Sequence, residues 1–335
     1  MSHAQSRWEP DLDTGHDWAL VLAAGEGSRL RTLTTTASGI AIPKQFCSMG
    51  GGESLLHNAL RRAQRAVPRA RTCAVVAEQH RRWWQALPLN ISAQNLTSQP
   101  RNRGTANGIL LPLLRIVHRD PDATLLILPS DHYVRNEEVL ASSLRQAIAS
   151  ARDTDHLVLL GFTPDEPDPE LGYIVGDGAD VADDIRKVKA FVEKPDAATA
   201  RELMGRGGLW NSFIFAASAR SLLLAFEERS PEFVKEMQDI ITALEGSKQL
   251  DARLSELYAR LPELDFSRDI LQRVPSSLRV LTVPPCGWSD LGTPRRVVET
   301  ANRYAPRHAP APEASGMMAF LDLAVRQSQL GAAAG

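Results

Sequence analysis

Cysteine is scarce in this chain. Its 335 residues include three, Cys47, Cys73 and Cys286, far apart and without paired spacing. That excludes a disulfide framework and a zinc site and points to a reducing compartment. No apolar run reaches the ~18 residues needed to span a bilayer. The polar N-terminus, with Asp11, Asp13 and Asp17, lacks the basic-then-apolar pattern of a secretory leader. A cytoplasmic location without membrane attachment is therefore expected. The triplets Asn90-Ile-Ser92 and Asn95-Leu-Thr97 fit the glycosylation pattern by chance. A one-sided charge is missing too. Formal net charge is -2, so no global field draws the chain to nucleic acid. Any anion site must be local. Internal repeats are absent.

What is present is ordinary globular composition, 43% hydrophobic and 23% charged, enough for one large core or two domains. Residues 1–17 read as a flexible leader and 18–304 as the catalytic body. Residues 305–316, rich in proline and alanine, read as a linker, and 317–335 as a C-terminal helical tail. The spacing of apolar residues predicts strands over Trp18–Ala24, Arg71–Ala77, Ala123–Leu128 and His156–Phe162. Helices are expected over Glu53–Ala66, Gln79–Leu87, Gly104–Val117 and Asn136–Ala151. This alternation argues for an α/β fold with a mostly parallel sheet and helices on both faces, whose ligands gather at the carboxyl ends of the strands. The second half is more mixed. Strands are expected near Gly172–Gly176, Val188–Val192, Leu209–Phe215 and Ser277–Val283. Its helices run over Ala197–Met204, Ser221–Glu245 with a break at Ser230-Pro231, Leu250–Leu261 and Thr293–Asn302.

The apolar run Ala19–Ala24 stops at Gly25-Glu-Gly27-Ser28-Arg29, and Pro43-Lys44 follows. Glycines let backbone N–H groups approach phosphate oxygens, and Arg and Lys neutralise charge there. The loop lacks the third glycine of a dinucleotide fingerprint and the G-K-[ST] of a Walker A loop. An arginine this close suits a triphosphate tail; a plain turn is the competing reading. Asp131, after a strand and a proline, is either a turn cap or a carboxylate for Mg²⁺, which needs only one or two. Asp290, in Gly287-Trp-Ser-Asp290-Leu-Gly292, is a second candidate. His132 reads as structural. Lys194, fixed before Pro195, is a solvated strand-end lysine or a phosphate ligand. Asn211, among apolar residues, wants a partner, either a core group or a sugar hydroxyl.

Together these stretches resemble the sugar-1-phosphate nucleotidyltransferases, and within them the mannose-1-phosphate guanylyltransferases. The likeness runs in order along Trp18–Arg296: L-A-A-G-E-G-S-R-L, P-K-Q-F, N-R-G-T-A, L-P-S-D-H, G-Y-I, F-V-E-K-P, L-W-N-S and G-W-S-D-L-G. It implies a Rossmann-like mixed fold of the nucleotide-diphospho-sugar transferase type. It also implies roles. Ala23, Ala24, Gly25, Gly27, Ser28, Arg29, Lys44, Asn102, Gly104 and Thr105 would bind the nucleotide. Gly172, Glu193, Lys194 and Asn211 would bind the sugar phosphate. Asp131 and Asp290 would hold Mg²⁺, and Arg29, Lys44, Asp131 and Lys194 would carry catalysis. GTP and mannose 1-phosphate are the expected substrates, GDP-mannose and pyrophosphate the products. Three departures keep other pairs open, such as UTP or dTTP with glucose 1-phosphate, as well as a non-catalytic nucleotide-sugar sensor. Ala24 and Phe213 stand where the family often has glycine, and Asp265-Phe-Ser-Arg-Asp269-Ile-Leu matches a late signature loosely. The tail helix from Met317 packs on the body or builds a homodimer; the residues favour neither.

Overall fold

The computed structural model describes residues 15–36, 38–48, 52–152, 154–177 and 185–304. The expected leader as far as residue 14, the linker and the tail helix lie outside the described residues. Strand β1 (Asp17–Ala23) is the apolar run before the glycines, buried on both faces except at Leu22. It is followed by α1 (Leu55–Gln64), β2 (Thr72–Ala77), the short α2 (Arg81–Trp84), β3 (Leu96–Gln99), α3 (Gly104–Arg119), β4 (Thr124–Pro129), α4 (Glu137–Arg152) and β5 (Leu157–Phe162). The second half contributes β6 (Tyr173–Gly176), β7 (Ile185–Val192), α5 (Ala197–Gly205), β8 (Leu209–Ser218), α6 (Ala219–Arg229), α7 (Pro231–Leu244), α8 (Leu250–Arg260), β9 (Leu278–Thr282) and α9 (Pro294–Tyr304).

The nine strands form one sheet in the order β3-β2-β1-β4-β8-β5-β9-β7-β6. Pairing is parallel from β3 through β4 and between β5 and β9. Strand β8 runs antiparallel to both β4 and β5, and also pairs with β6. The expected mixed α/β sheet is therefore present. Successive residues of β1 point to opposite faces. Leu20, with Leu125, Ile127 and Phe215, packs beneath α3, α6, α7 and α8. Ala19 and Val21, with Leu126 and Leu128, pack beneath α1 and α4.

Expected boundaries shift by a few residues, with three larger differences. Only a 3₁₀ turn (Glu78–His80) and one turn of α-helix form where a helix was expected over Gln79–Leu87. Trp84 is buried and donates to the Ala77 carbonyl at 3.0 Å, which draws the chain back on β2. Strand β3, sequence Leu-Thr-Ser-Gln, has one apolar residue and no periodic signal. Phe266–Ile270 winds as a π-helix capped by Asp265. The break between α6 and α7 falls at Ser230-Pro231 as expected, with Pro231 opening α7, where its missing N–H costs nothing.

The loop after β4 is held against the segment before α9. Tyr133 and Ser289 exchange backbone hydrogen bonds of 2.8 and 3.0 Å, and Asn136 N–H donates to Cys286 at 2.9 Å. Beneath this junction Arg62 is fully buried and reaches Glu137 through two bonds of 3.0 and 2.8 Å. It links α1 to the first turn of α4. Removing one partner of a buried pair leaves an uncompensated charge. Arg62→Ala is expected to lower unfolding free energy by about 3 kcal/mol in a urea titration; a loss under about 1 kcal/mol would show the pair to be dispensable.

Candidate active site

Parallel pairing of β1 with β4 sets Leu22 opposite Pro129, so the loops that follow these strands lie side by side. Ser130 N–H donates to the Leu22 carbonyl at 3.1 Å. Both loops open onto a cleft of about 890 Å³. Gly27 has φ +63°, and a Cβ there would stand 3.0 Å from the Lys44 backbone nitrogen. Glycine thus serves both the backbone conformation and the close approach. The loop is held from below by Gln45, whose Nε2 donates to the carbonyls of Ala23 at 3.0 Å and Gly25 at 2.9 Å. This anchoring role was invisible in the sequence. Ser28 and Arg29 form one 3₁₀ turn at the rim, and Arg29 reaches Glu170 at 2.8 Å.

Lys44 is buried, 4% exposed. Its Nζ donates to the Asp290 main-chain oxygen at 2.5 Å and stands 3.1 Å from Asp131 Oδ2. Burial would raise the Asp131 carboxyl, but the Lys44 ammonium holds it below its ordinary value, so it is ionised. His132 goes the other way. Burial pushes it down to about 4 against the pull of Asp131, which leaves it neutral, with Nδ1 accepting from Trp288 Nε1 at 3.2 Å. His132 is thus a packed neighbour of Asp131, also close to Trp288 in an edge-on contact of 5.4 Å.

The opposite wall begins where Asn102 Oδ1 accepts from Gly104 N–H at 3.0 Å. Gly104 has φ +82°, and a Cβ would overlap the Leu264 carbonyl. Thr105 Oγ1 accepts from Phe266 N–H at 2.8 Å. These contacts dock the start of α3 on the π-helix, so Glu263, Asp265 and Arg268 line the cleft as well. The loosely matching late signature is thereby part of the site. Gln99, at the end of β3, is buried in the same wall, and its Oε1 has no hydrogen-bond partner.

Gly172, just before β6, Glu193, just after β7, and Asn211, on β8, form a second cluster. A Cβ on Gly172 would lie 2.7 Å from Glu193 Oε2 and 3.3 Å from Asn211 Cβ. Asn211 N–H donates to Gly172 at 2.8 Å. Burial, with Asp265 nearby, pushes the Glu193 carboxyl up against the pull of Lys194. Lys194, with φ +45° and a side chain 57% exposed, lines the main cleft.

The sequence-predicted residues are thus distributed as follows. Ala24, Gly25, Gly27, Ser28 and Arg29 share the cleft with Asn102, Gly104, Thr105, Asp131 and Lys194. Ala23 is fully buried in β1, behind the loop. The Asp290 carboxylate points elsewhere: Oδ1 pairs with Arg296, which also reaches Asp168 at 2.8 Å, and accepts from Gly292 N–H at 3.0 Å. Only the Asp290 backbone oxygen meets Lys44. Among the described residues no three His, Cys, Asp or Glu side chains cluster as for a metal. Mg²⁺ retains waters and takes one or two carboxylates beside phosphate oxygens, so the ionised, cleft-facing Asp131 fits it. Asp290 fits only if Arg296 releases it.

With this geometry in hand, comparison with known proteins gives the class. A model of the nucleotidyl transferase family matches residues 18–307, and the chain belongs to that family. More particularly, it is similar to the alginate biosynthesis protein AlgA of Pseudomonas aeruginosa, 30% identical over 283 residues, covering 82% of this chain and 56% of that protein. It is 27% identical to a mannose-1-phosphate guanylyltransferase of Escherichia coli over 280 residues, covering 82% and 58%. The chain spans less than two thirds of the length of these curated relatives. A crystal structure from Thermus thermophilus, described as a mannose-1-phosphate geranyltransferase, has a TM-score of 0.66 at 28% identity over 82% of this chain and 76% of that one. A UDP-glucose pyrophosphorylase shares the fold at 15% identity, with a TM-score of 0.55 over 86% and 98%. No described helix is long and apolar enough to cross a membrane.

Two stability experiments follow. Gly104→Ala has to accommodate both a left-handed backbone and the Leu264 carbonyl, and is expected to lose about 2 kcal/mol or more in urea denaturation; a neutral effect would mean the loop relaxes freely. Glu193 has a raised folded pKa, so its contribution is fully present below the ordinary value and is lost as pH rises through the folded one. Glu193→Gln should therefore melt above the wild type at pH 7 and level with it near pH 4, about the ordinary Glu value. Equal melting at both would contradict the raised pKa.

Proposed function

We propose that the chain transfers a nucleotidyl group from a nucleoside triphosphate to a hexose 1-phosphate and releases pyrophosphate, with GTP and mannose 1-phosphate as substrates and GDP-mannose as product. The observation that carries this reading is the single cleft that joins a glycine-rich loop with its arginine, an ionised aspartate fixed by a buried lysine, and an exposed lysine beside the Gly172–Glu193–Asn211 cluster. Family membership supports the reaction class, and the E. coli and T. thermophilus likenesses support the mannose substrate.

The chemistry needs no protein nucleophile. Near pH 7 the sugar phosphate is largely dianionic, its second pKa being about 6. One of its oxygens forms a bond to the α-phosphorus as the bond from that phosphorus to the β-phosphate bridge breaks in line, and pyrophosphate takes the electron pair. No proton has to move. The barrier is repulsion between anions, so positioning and fixed positive charge do most of the catalysis. Backbone N–H groups of Gly25, Gly27 and Ser28, with Arg29, hold the triphosphate. Lys194 neutralises the sugar phosphate, while Glu193 and Asn211 take hydroxyls. Lys44 keeps Asp131 charged and oriented. Mg²⁺, when held by Asp131 and by Asp290 once freed, would offset phosphate charge. Three buried thiols, free in the structure and pushed up to about 11 or 12 by burial, stay protonated, which suits a reducing compartment such as the cytoplasm.

The test is pyrophosphate release over a grid of nucleoside triphosphates and sugar 1-phosphates, with and without Mg²⁺. GTP with mannose 1-phosphate and Mg²⁺ should give the highest kcat/KM. Turnover only with UTP or dTTP would replace the guanylyl assignment, and none with any pair would leave a nucleotide-sugar sensor. Asp131→Asn should lower kcat by about 100-fold or more while the fold persists by circular dichroism; near-wild-type rates would remove Asp131 from the site.

A further inference from the structure

Phe213 is the one phenyl group lining the cleft, and it sits where a phenyl group is least at home. Its φ is +59°, in the left-handed region that glycine favours and bulky residues avoid. Two sets of contacts hold it there. Asn211 Oδ1 accepts from Phe213 N–H at 3.1 Å. The ring meets Phe215 and Phe266 edge-on, with centroids 6.1 and 5.9 Å away, and those two stack on each other at 5.1 Å. The half-buried ring thus rests on an aromatic platform and turns its remaining surface to the cleft.

Its surroundings join the side assigned above to the sugar with Thr105 of the nucleotide side, which accepts from Phe266 N–H at 2.8 Å. Asn211 is two residues away and directly bonded. Ser267, next to Phe266, lies beside the Glu193 carboxyl. Lys194, also left-handed at φ +45°, lines the same cleft. A pyranose presents a face of C–H groups and a rim of hydroxyls. An aromatic surface takes the first, and amide or carboxylate groups take the second.

We propose that Phe213 is a specificity-determining residue. Its ring forms the floor under the hexose, stacks on the sugar's C–H face, and limits the room left for bulkier sugars. Strain in the backbone is tolerated because it aims the ring at the sugar. The inference rests on the proposed transfer reaction and adds to it the means of choosing the sugar.

Two variants test it. Phe213→Gly removes the ring at a backbone position glycine favours, and Phe213→Leu keeps bulk without an aromatic face. Each is checked by circular dichroism, then assayed for pyrophosphate release with GTP, mannose 1-phosphate, and a 2-acetamido-hexose 1-phosphate. Both should raise KM for mannose 1-phosphate about 5- to 10-fold, with KM for the triphosphate changed less than about twofold. Phe213→Gly alone should gain turnover of the acetamido sugar. A shift in the triphosphate KM would overturn the proposal by placing the ring under the base, and unchanged constants would reduce it to core packing. Without wild-type turnover the transfer reading fails. Calorimetry with mannose 1-phosphate alone then decides: wild-type binding weakened in both variants upholds the floor, and its absence in the wild type removes it.

Discussion

The buried ammonium of Lys44 is the constraint around which the site is assembled. A charge out of water is tolerated only when paired and hydrogen-bonded, and here its partners come from two distant segments, the Asp131 carboxylate and the Asp290 carbonyl. The same short stretch touches a third. Gly27 packs on the Lys44 backbone, and Gln45 fastens two carbonyls of the loop that follows β1. The glycine loop after β1, the end of β4 and the segment before α9 therefore meet over one lysine. Its conformation would be hard to keep without all of them.

The environment sorts the carboxylates nearby. Asp131 remains ionised beside Lys44, Asp290 is neutralised by Arg296, and Glu193 is pushed toward its protonated form by burial and Asp265. Three acidic groups of similar intrinsic strength are thus set apart by their surroundings: one beside a buried lysine, one paired with an arginine, and one weakened as an acid by burial. His132 stays neutral and adds no positive charge beside Asp131.

Much of this was legible in the sequence because the first half is repetitive in form. A buried run followed by glycines, and another followed by Pro-Ser-Asp, end on the same edge of a parallel sheet, so Gly25 and Asp131 had to be near each other. Strand direction in the second half was not legible, since period-two alternation is identical for parallel and antiparallel strands. Only the antiparallel pairing of β8 with β6 sets Asn211 beside Gly172. Gln45 was visible in its motif but not its role, which depends on carbonyls 20 and 22 residues earlier. Asp265 and Arg268 enter the cleft through contacts with Thr105, about 160 residues away in the chain. The orientation of the Asp290 side chain depends on Arg296, which reads in sequence as one more basic residue at a helix start.

Strand β8 has a mechanical meaning. It pairs with β4 on one side, β5 on the other, and β6 at its beginning. The two sides of the cleft, assigned to nucleotide and sugar in the proposed function, therefore ride on a single hydrogen-bonded sheet. Spacing across the cleft is measured out in strand rises of about 3.3 Å and strand separations of about 4.8 Å. For the proposed reaction such a body would serve as a template and not as a jaw, setting its two substrates a ruled distance apart.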